Sequence, residues 1–210
     1  MGARHNDARD EWAHLCSLAL GGSSVGTEPF IFYGAGVRAA EGRDATTNGS
    51  TSTEARNNSA GDEARGDVRA RGFWKPREDC IFDIVITDTD AKCYGDTSSK
   101  KLVERLAKRK VDKYEAACKE RRRSFTALAY SVCGLPCESA RSAEKRLGGL
   151  LAKKWERNYS EMVSFIRQRM SLAIVRSNTL LLRGDRAGTW RRRGAEDGVA
   201  AGATPSMRTD

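Results

Sequence analysis

Long apolar runs are missing from this chain. The longest apolar stretch near its C-terminal end is interrupted by Arg176 and Arg183, and no hydrophobic N-terminal segment resembles a signal peptide. The sequence therefore predicts neither a membrane span nor a secretory leader. Cysteine is present without metal-ligand pairing. Cys16, Cys80, Cys93, Cys118, Cys133 and Cys137 include the spacing Cys133-x-x-x-Cys137, but no second pair completes a tetrahedral set. Reduced structural thiols are expected, and a zinc site within the chain is not. Large apolar side chains are nearly absent between residues 34 and 63, where Gly, Ala, Ser, Thr, Asn and charged residues dominate. That composition cannot support a core and predicts a disordered insertion. No internal repeat is evident, and 210 residues suit one domain with enough chain to bury a core.

Charge is present in excess. The chain has 37 Lys and Arg against 28 Asp and Glu, a net charge of +9. The excess is local: Lys100 to Arg123 holds eleven basic and four acidic residues, including Lys108, Arg109 and the run Arg121, Arg122, Arg123. Such a surface attracts phosphates through counterion release, giving salt-sensitive and sequence-independent affinity. A solvated helix face reads the same way, and a charge run alone favours that plainer account. A second basic run, Arg191 to Arg193, lies in a tail rich in glycine and alanine. It reads as disordered charge or as a nuclear-import signal.

Chemistry enters with two acids. Asp67 follows Arg65-Gly66, and fifteen residues separate it from Asp83, which interrupts the apolar run Ile81-Phe82-Asp83-Ile84-Val85-Ile86. The run predicts a strand buried on both faces, with Ile81 and Val85 on the side of Asp83 and Phe82, Ile84 and Ile86 on the other. An ionised carboxylate there must be paired, neutralised by a raised pKa or bound to a metal, and a second carboxylate one strand earlier points to the metal. The following helix supplies a cation. At about 100° per residue from Val103, Ala107, Tyr114 and Cys118 fall near 40°, 20° and 60°, and Lys110 near 340°, inside this apolar stripe. Lys113, at about 280°, sits on the border beside Leu106. Most lysines on amphipathic helices snorkel to water, but one on the sheet-facing side can reach a phosphate or an attacking water near Asp83. Two carboxylates with an inward lysine suit magnesium-dependent (or manganese-dependent) phosphodiester hydrolysis.

The run from Arg65 to Gly134 resembles the restriction-endonuclease-like fold, the PD-(D/E)XK superfamily. It is most similar to the nuclease domain that follows the reverse transcriptase in site-specific retrotransposons lacking long terminal repeats. The Pro-Asp pair of that pattern is matched by Gly66-Asp67, the strand Asp-Val-x-Val by Asp83-Ile84-Val85-Ile86, and the helical Lys-x-x-Lys-Tyr by Lys110-Val111-Asp112-Lys113-Tyr114. Val85 stands where many members carry a lysine two residues after the strand acid, and Cys133 stands where similar sequences often carry aspartate. Arg4-His5-Asn6-Asp7 resembles the segment closing a cysteine-histidine knuckle upstream of that nuclease. The cysteines of such a knuckle would precede Met1, so the chain is expected to be a fragment. The likeness extends over Phe125 to Gly134 and Tyr159 to Arg186, and so covers roughly residues 4 to 186. It implies a metal-dependent DNA endonuclease that nicks target DNA for retrotransposition. Asp67 and Asp83 would hold Mg2+ or Mn2+, Lys110 would be catalytic with Lys113 as its alternate, and Lys108, Arg109 and Arg121 to Arg123 would contact nucleic acid. DNA and an upstream reverse-transcriptase domain are the implied partners, and a nuclear location is implied ahead of a cytoplasmic one. The alternatives are a catalytically inactive module that binds DNA or RNA beside the polymerase, and a pseudogene product without function of its own.

The predicted fold is α/β, a mixed sheet of about four strands in the order helix, strand, strand, strand, helix, strand, followed by two helices. Residues 1–33 would carry the first helix, at 5–20, and a strand at 25–32, and residues 34–63 the disordered insertion. Residues 64–186 would complete the domain, and 187–210 would be a disordered tail. The first helix turns Ala8, Trp12, Leu15 and Ala19 inward, with Asn6 or Asp7 as its cap. Strands follow at 66–71 and 81–87, a helix at 100–120 and a strand at 125–132. Helix 139–157 presents Ala143, Leu147, Leu150, Leu151 and Trp155, and helix 160–182 presents Val163, Ile166, Met170, Ala173, Ile174 and Asn178 before Gly184 ends it. Other candidates have plainer accounts. Glu28 at a strand end and Glu11 on the first helix could each reach the metal, though Glu11 also reads as dipole compensation. Asp88 and Asp90 could extend the acidic cluster or simply form a turn. Trp74 and Tyr114 could stack on bases but read more simply as packing residues. His5, without cysteine partners, reads as solvent-exposed, and His14 as a helix-surface or core residue.

Overall fold

The computed structural model describes residues 2–32 and 64–196, with side chains over 5–31 and 64–179. The insertion predicted at 34–63 and the end of the predicted tail lie outside the described residues. The elements are α1 (Gly2–Leu20), β1 (Val25–Thr27), β2 (Phe30–Phe32), β3 (Ala64–Arg65), β4 (Val68–Arg71), β5 (Asp79–Thr87), α2 (Ser99–Glu120), β6 (Ser124–Ser131), α3 (Glu138–Trp155) and α4 (Tyr159–Glu196). The fold is α/β, with a mixed four-stranded sheet and four helices. Strand order is β1-β4-β5-β6. β1, β4 and β5 pair antiparallel, and β5 and β6 pair parallel from Cys80↔Ser124 to Thr87↔Ser131. A parallel pair needs a long crossover, which α2 provides.

β5 is apolar on both faces because both are covered. Phe82 and Ile84 enter the main core, where Trp12 of α1 meets Phe82 edge-on at 5.4 Å and Phe73 lies 4.8 Å from the same ring. Ile81, pointing the other way, joins Ile31, Tyr114 and Cys118 in a smaller cluster. The inward residues assigned to α1 are buried at Ala8, Trp12 and Leu15, and Ala19 packs partly buried against them. Helices α3 and α4 cross closely at Gly148, where an added Cβ would lie 2.5 Å from Val163 Cγ2. On α3, Leu147 and Leu151 are buried, while Trp155 is 39% exposed and leans on Phe165.

Three boundaries differ from the sequence expectation. Helix α1 begins at Gly2, ahead of Asn6 and Asp7, because Ala3 and Arg4 are strong helix formers with nothing to stop them. Asp7 is therefore no cap; it accepts a hydrogen bond from Ser177 Oγ of α4. The single strand expected over 25–32 is two, in different sheets, with β2 pairing to β3. Glu28 takes φ 52° and Pro29 cannot donate to a ladder, so the chain breaks between them. Helix α4 does not end at Gly184 but continues to Glu196. An interior glycine costs a helix only about 1 kcal/mol, and no proline follows to force a stop.

Candidate active site

The site begins where β4 and β5 part. Asp67 sits one residue before β4, its backbone N–H donating to Phe82 O at 2.9 Å and its carbonyl accepting from Glu28 N at 2.9 Å. Its carboxylate Oδ2 accepts the N–H of Ile84, continuing with a side chain the ladder that the β4 backbone has left. The turn entering this position is tight. A Cβ on Gly66 would lie 2.4 Å from Ile81 Cγ2 and 3.3 Å from Phe82 O, and Gly66 N donates to Pro29 O at 2.8 Å. Proline at this position would supply the clashing atoms and remove the donor, so the glycine is a local requirement.

Asp83 comes from β5 and Lys110 from α2. Two residues of strand advance about 6.6 Å and four of helix about 6.0 Å, so the two elements stay in step over several positions. Ile81 shares a cluster with Tyr114, Asp83 meets Lys110, and Val85 and Leu106 border one pocket. Lys110 Nζ stands 3.0 Å from Asp83 Oδ2. The contact does not have hydrogen-bonding geometry, so this buried oxygen has an ion-pair partner and no hydrogen bond. Lys110 is mostly buried, as its helical angle implied, whereas Lys113 is exposed with Nζ 4.9 Å from the Tyr114 ring centroid.

A fourth group was not anticipated. His5 is half-buried rather than free in solvent, because α1 starts early enough to carry it over the sheet end, and its Nε2 lies 3.0 Å from Asp67 Oδ1. Burial lowers the His5 pKa, and the charges of Arg9 and Lys110 add to that effect while Asp83 and Asp10 oppose it. Asp67 is pushed up to about 7, first by burial and then by the negative charge of Asp83, against the pull of the Ile84 N–H, Lys110 and Arg9. Neighbouring groups whose pKa values are displaced in this way are where acid-base and metal chemistry concentrate. The histidine was visible in the sequence; its contact was not, because it depends on where α1 begins.

The remaining candidates fall elsewhere. Glu28 is exposed with Oε1 2.7 Å from Arg9 Nη1, and Glu11 pairs with Arg169 at 2.7 Å. His14 is exposed beside Asp10 and Arg176 in the groove between α1 and α4. Asp88 Oδ1 accepts the N–H of Asp90 at 3.1 Å, an Asx turn at the exposed end of β5. Trp74 donates to Thr126 Oγ1 at 2.9 Å, and Tyr114 is buried against Phe125, so both pack. Lys108 and Arg109 are exposed on α2. In the basic run, Arg121 donates to Ile31 O and lies over the Phe30 ring, and Arg123 donates to Phe30 O at 2.9 Å. Two of the three arginines therefore clasp β2, and Arg122 is exposed between them. All six cysteines are free thiols, four of them buried.

Among the described residues no group of three or more His, Cys, Asp or Glu side chains is arranged to hold a metal ion. The pair Asp67 and Asp83 could nevertheless hold a divalent cation: two repelling carboxylates, one of them holding its proton to about 7, and a buried Asp83 oxygen with Lys110 as ion-pair partner but no hydrogen bond. A cation between them would relieve both penalties. The described residues contain no helix long and apolar enough to cross a membrane. No protein-family model matches the chain, and no curated protein or solved structure matches it significantly.

Proposed function

We propose that this chain is a divalent-metal-dependent DNA endonuclease of the PD-(D/E)XK, restriction-endonuclease-like kind, one that nicks DNA for a reverse transcriptase carried upstream in the same element. The observation that carries the reading is the meeting of Asp67, Asp83 and Lys110, which come from three separate segments. In the reaction a water oxygen bonds to phosphorus as the P–O3′ bond breaks, and O3′ leaves with a proton as the 3′ hydroxyl. Asp67 and Asp83 would hold Mg2+ or Mn2+, which when bound supplies charge for the phosphate and acidifies water. Lys110 brings a positive charge to the same face of β5, where it can stabilise the negative charge growing on the phosphate oxygens. His5 and Asp67 lie within proton-sharing distance at 3.0 Å, so His5 fixes one Asp67 oxygen while the Ile84 N–H fixes the other. The work on DNA goes with a nuclear location.

The second reading, a catalytically inactive nucleic-acid-binding module, draws on the lack of a third metal donor among the described residues. Nicking of supercoiled plasmid by the purified chain with Mg2+ or Mn2+, beside EDTA and Asp83→Ala controls, separates the two. Nicking that needs both the metal and Asp83 is the expected result. Salt-sensitive DNA binding by a folded protein that never nicks supports the inactive module instead.

A further inference from the structure

A pocket of about 450 Å³ lies one step along β5 from the acid pair. Because β4 pairs only with Asp79 to Phe82, the second half of β5 has β6 as its sole strand neighbour among the described residues. The pocket is bordered by Val85, Ile86 and Thr87 of this half and by Leu106 of α2, and the apolar side chains of Val85, Ile86 and Leu106 form one side of it. Tyr94 forms a wall, its hydroxyl 3.4 Å from Thr87 Oγ1. Arg105 and Arg109, one helical turn apart on α2, complete the border. Both guanidinium groups are exposed and make no hydrogen bond or ion pair among the described residues, unlike Arg121 and Arg123, which are spent on β2 carbonyls. No acidic side chain borders the pocket.

We infer that this pocket holds the nucleotide next to the scissile phosphate, an inference that rests on the nuclease reading for its placement. A cavity with an apolar side and an aromatic wall suits a base, and two free guanidinium groups suit a phosphate. The volume lies within the ~300–1,000 Å³ of small-ligand sites. Arg109 directly precedes Lys110, so a strand with one phosphate on Arg105 and Arg109 would pass its neighbouring phosphate toward Lys110 and Asp83. The occupant is a nucleotide of a DNA strand, and a free nucleoside monophosphate shares its chemistry.

The test is fluorescence anisotropy of a labelled 12-nucleotide single strand in EDTA, where binding is read without hydrolysis. Tyr94→Ala is expected to weaken binding about tenfold or more. Arg105→Gln with Arg109→Gln is expected to lower the salt slope of log affinity by about 0.7 for each phosphate that the variant no longer neutralises. Lys153→Gln, on the exposed last turn of α3, controls for generic charge. Tyr94→Phe keeps the ring and should bind as wild type, and the paired arginine variant changes only exposed side chains, so both remain informative if Tyr94→Ala unfolds. Wild-type binding by the arginine pair, or a loss no larger than that of Lys153→Gln, overturns the inference. Competition by deoxyadenosine monophosphate as tight as the strand itself overturns the strand assignment in favour of a free-nucleotide pocket. Plasmid nicking is scored in parallel. Asp83-dependent nicking with unaltered strand binding in the variants sinks the pocket and leaves the nuclease reading, whereas weakened binding by the variants in a chain that never nicks does the reverse.

Discussion

Asp83 and Glu144 are the only acidic side chains in the buried set of described residues, at 5% and 1% exposure, yet their surroundings differ. Glu144 is closed. Its Oε1 accepts from Tyr130 OH at 3.1 Å and its Oε2 from Arg167 Nε at 3.3 Å. Asp83 is open: its buried Oδ2 has Lys110 as an ion-pair partner but no hydrogen bond, and Asp67 lies near enough for the charge of Asp83 to raise the Asp67 pKa. Burial raises the pKa of Glu144 too, but its two donors oppose the rise, whereas the largest influence on Asp67 after burial is another negative charge. A saturated buried carboxylate organises a core, while a pair of like charges that Lys110, His5 and the Ile84 N–H compensate only in part carries a residual cost that a bound cation would relieve.

The most decisive way to break this contrast is to remove each acid. Asp83→Ala is expected to reduce plasmid nicking to background while changing unfolding free energy by less than about 1 kcal/mol, since Lys110 can reach water and Asp67 loses a repelling neighbour. Glu144→Ala is expected to cost about 1–3 kcal/mol by orphaning the Tyr130 hydroxyl, with nicking per folded molecule retained. Urea titration beside the plasmid assay reads both quantities. Equal destabilisation by the two variants, or nicking abolished only in Glu144→Ala, would erase the distinction.

A pH series sharpens it next. Folded Asp67 keeps its proton up to about 7, against an ordinary value of 3.8. Between those values the folded state binds more protons than the unfolded one, so this group makes stability fall as pH rises, by up to about 1.4 kcal/mol per pH unit. His5 works the other way below 6.5, its ordinary value, because folding lowers its pKa. Urea unfolding of wild type and Asp67→Asn from pH 4 to 7 in EDTA isolates the Asp67 contribution by difference. The wild-type advantage should shrink across that window. Mn2+ should flatten the difference, since a cation favours the ionised carboxylate, and a flat difference in EDTA would contradict the raised pKa.

Much of this centre was legible in the sequence, for reasons that can be named. Asp83 interrupts a strand of otherwise apolar residues, and period-two alternation places it inward whatever the fold. Lys110 falls within a helical stripe defined by its neighbours, and the matched rise of strand and helix brings it to Asp83. Asp67 was legible only as a second acid one strand earlier, since its grip on the Ile84 N–H depends on β4 beginning where it does. His5, Glu144 and the β2 clasp were not legible. His5 depends on how far α1 extends, and Arg121 and Arg123 on a strand that leaves its expected sheet at Pro29. Glu144 lies on the buried stripe of α3 with Ala140, Ala143 and Leu147, a signal available in the helical period, but its partners come from β6 and α4.

Gly66→Ala probes the geometry that presents Asp67. The added methyl would enter the space of Ile81 Cγ2, at 2.4 Å, beside the fixed carbonyl of Phe82. Overpacking of this kind costs about 1–3 kcal/mol. Because the strain falls beside Asp67, nicking should drop further than stability alone explains. A lowered urea midpoint with full nicking in the folded fraction would show that the turn is structural only.

The smallest effect divides the basic run. The Arg123 side chain bonds a β2 carbonyl and the Arg122 side chain bonds nothing among the described residues, so the two should fail in different assays although they are adjacent in sequence. Arg123→Ala removes a charge-assisted hydrogen bond and should cost about 1.5 kcal/mol of stability, with little change in the salt slope of DNA binding. Arg122→Ala should leave the urea midpoint unmoved, and any change should be a loss of less than about one in the salt slope, because an exposed arginine acts on phosphate alone. If Arg123→Ala instead weakened DNA binding at unchanged stability, the clasp on β2 would give way to a phosphate contact. The open region of the molecule would then extend from Asp83 past the end of α2, and the closed region would shrink to Glu144 and its two donors.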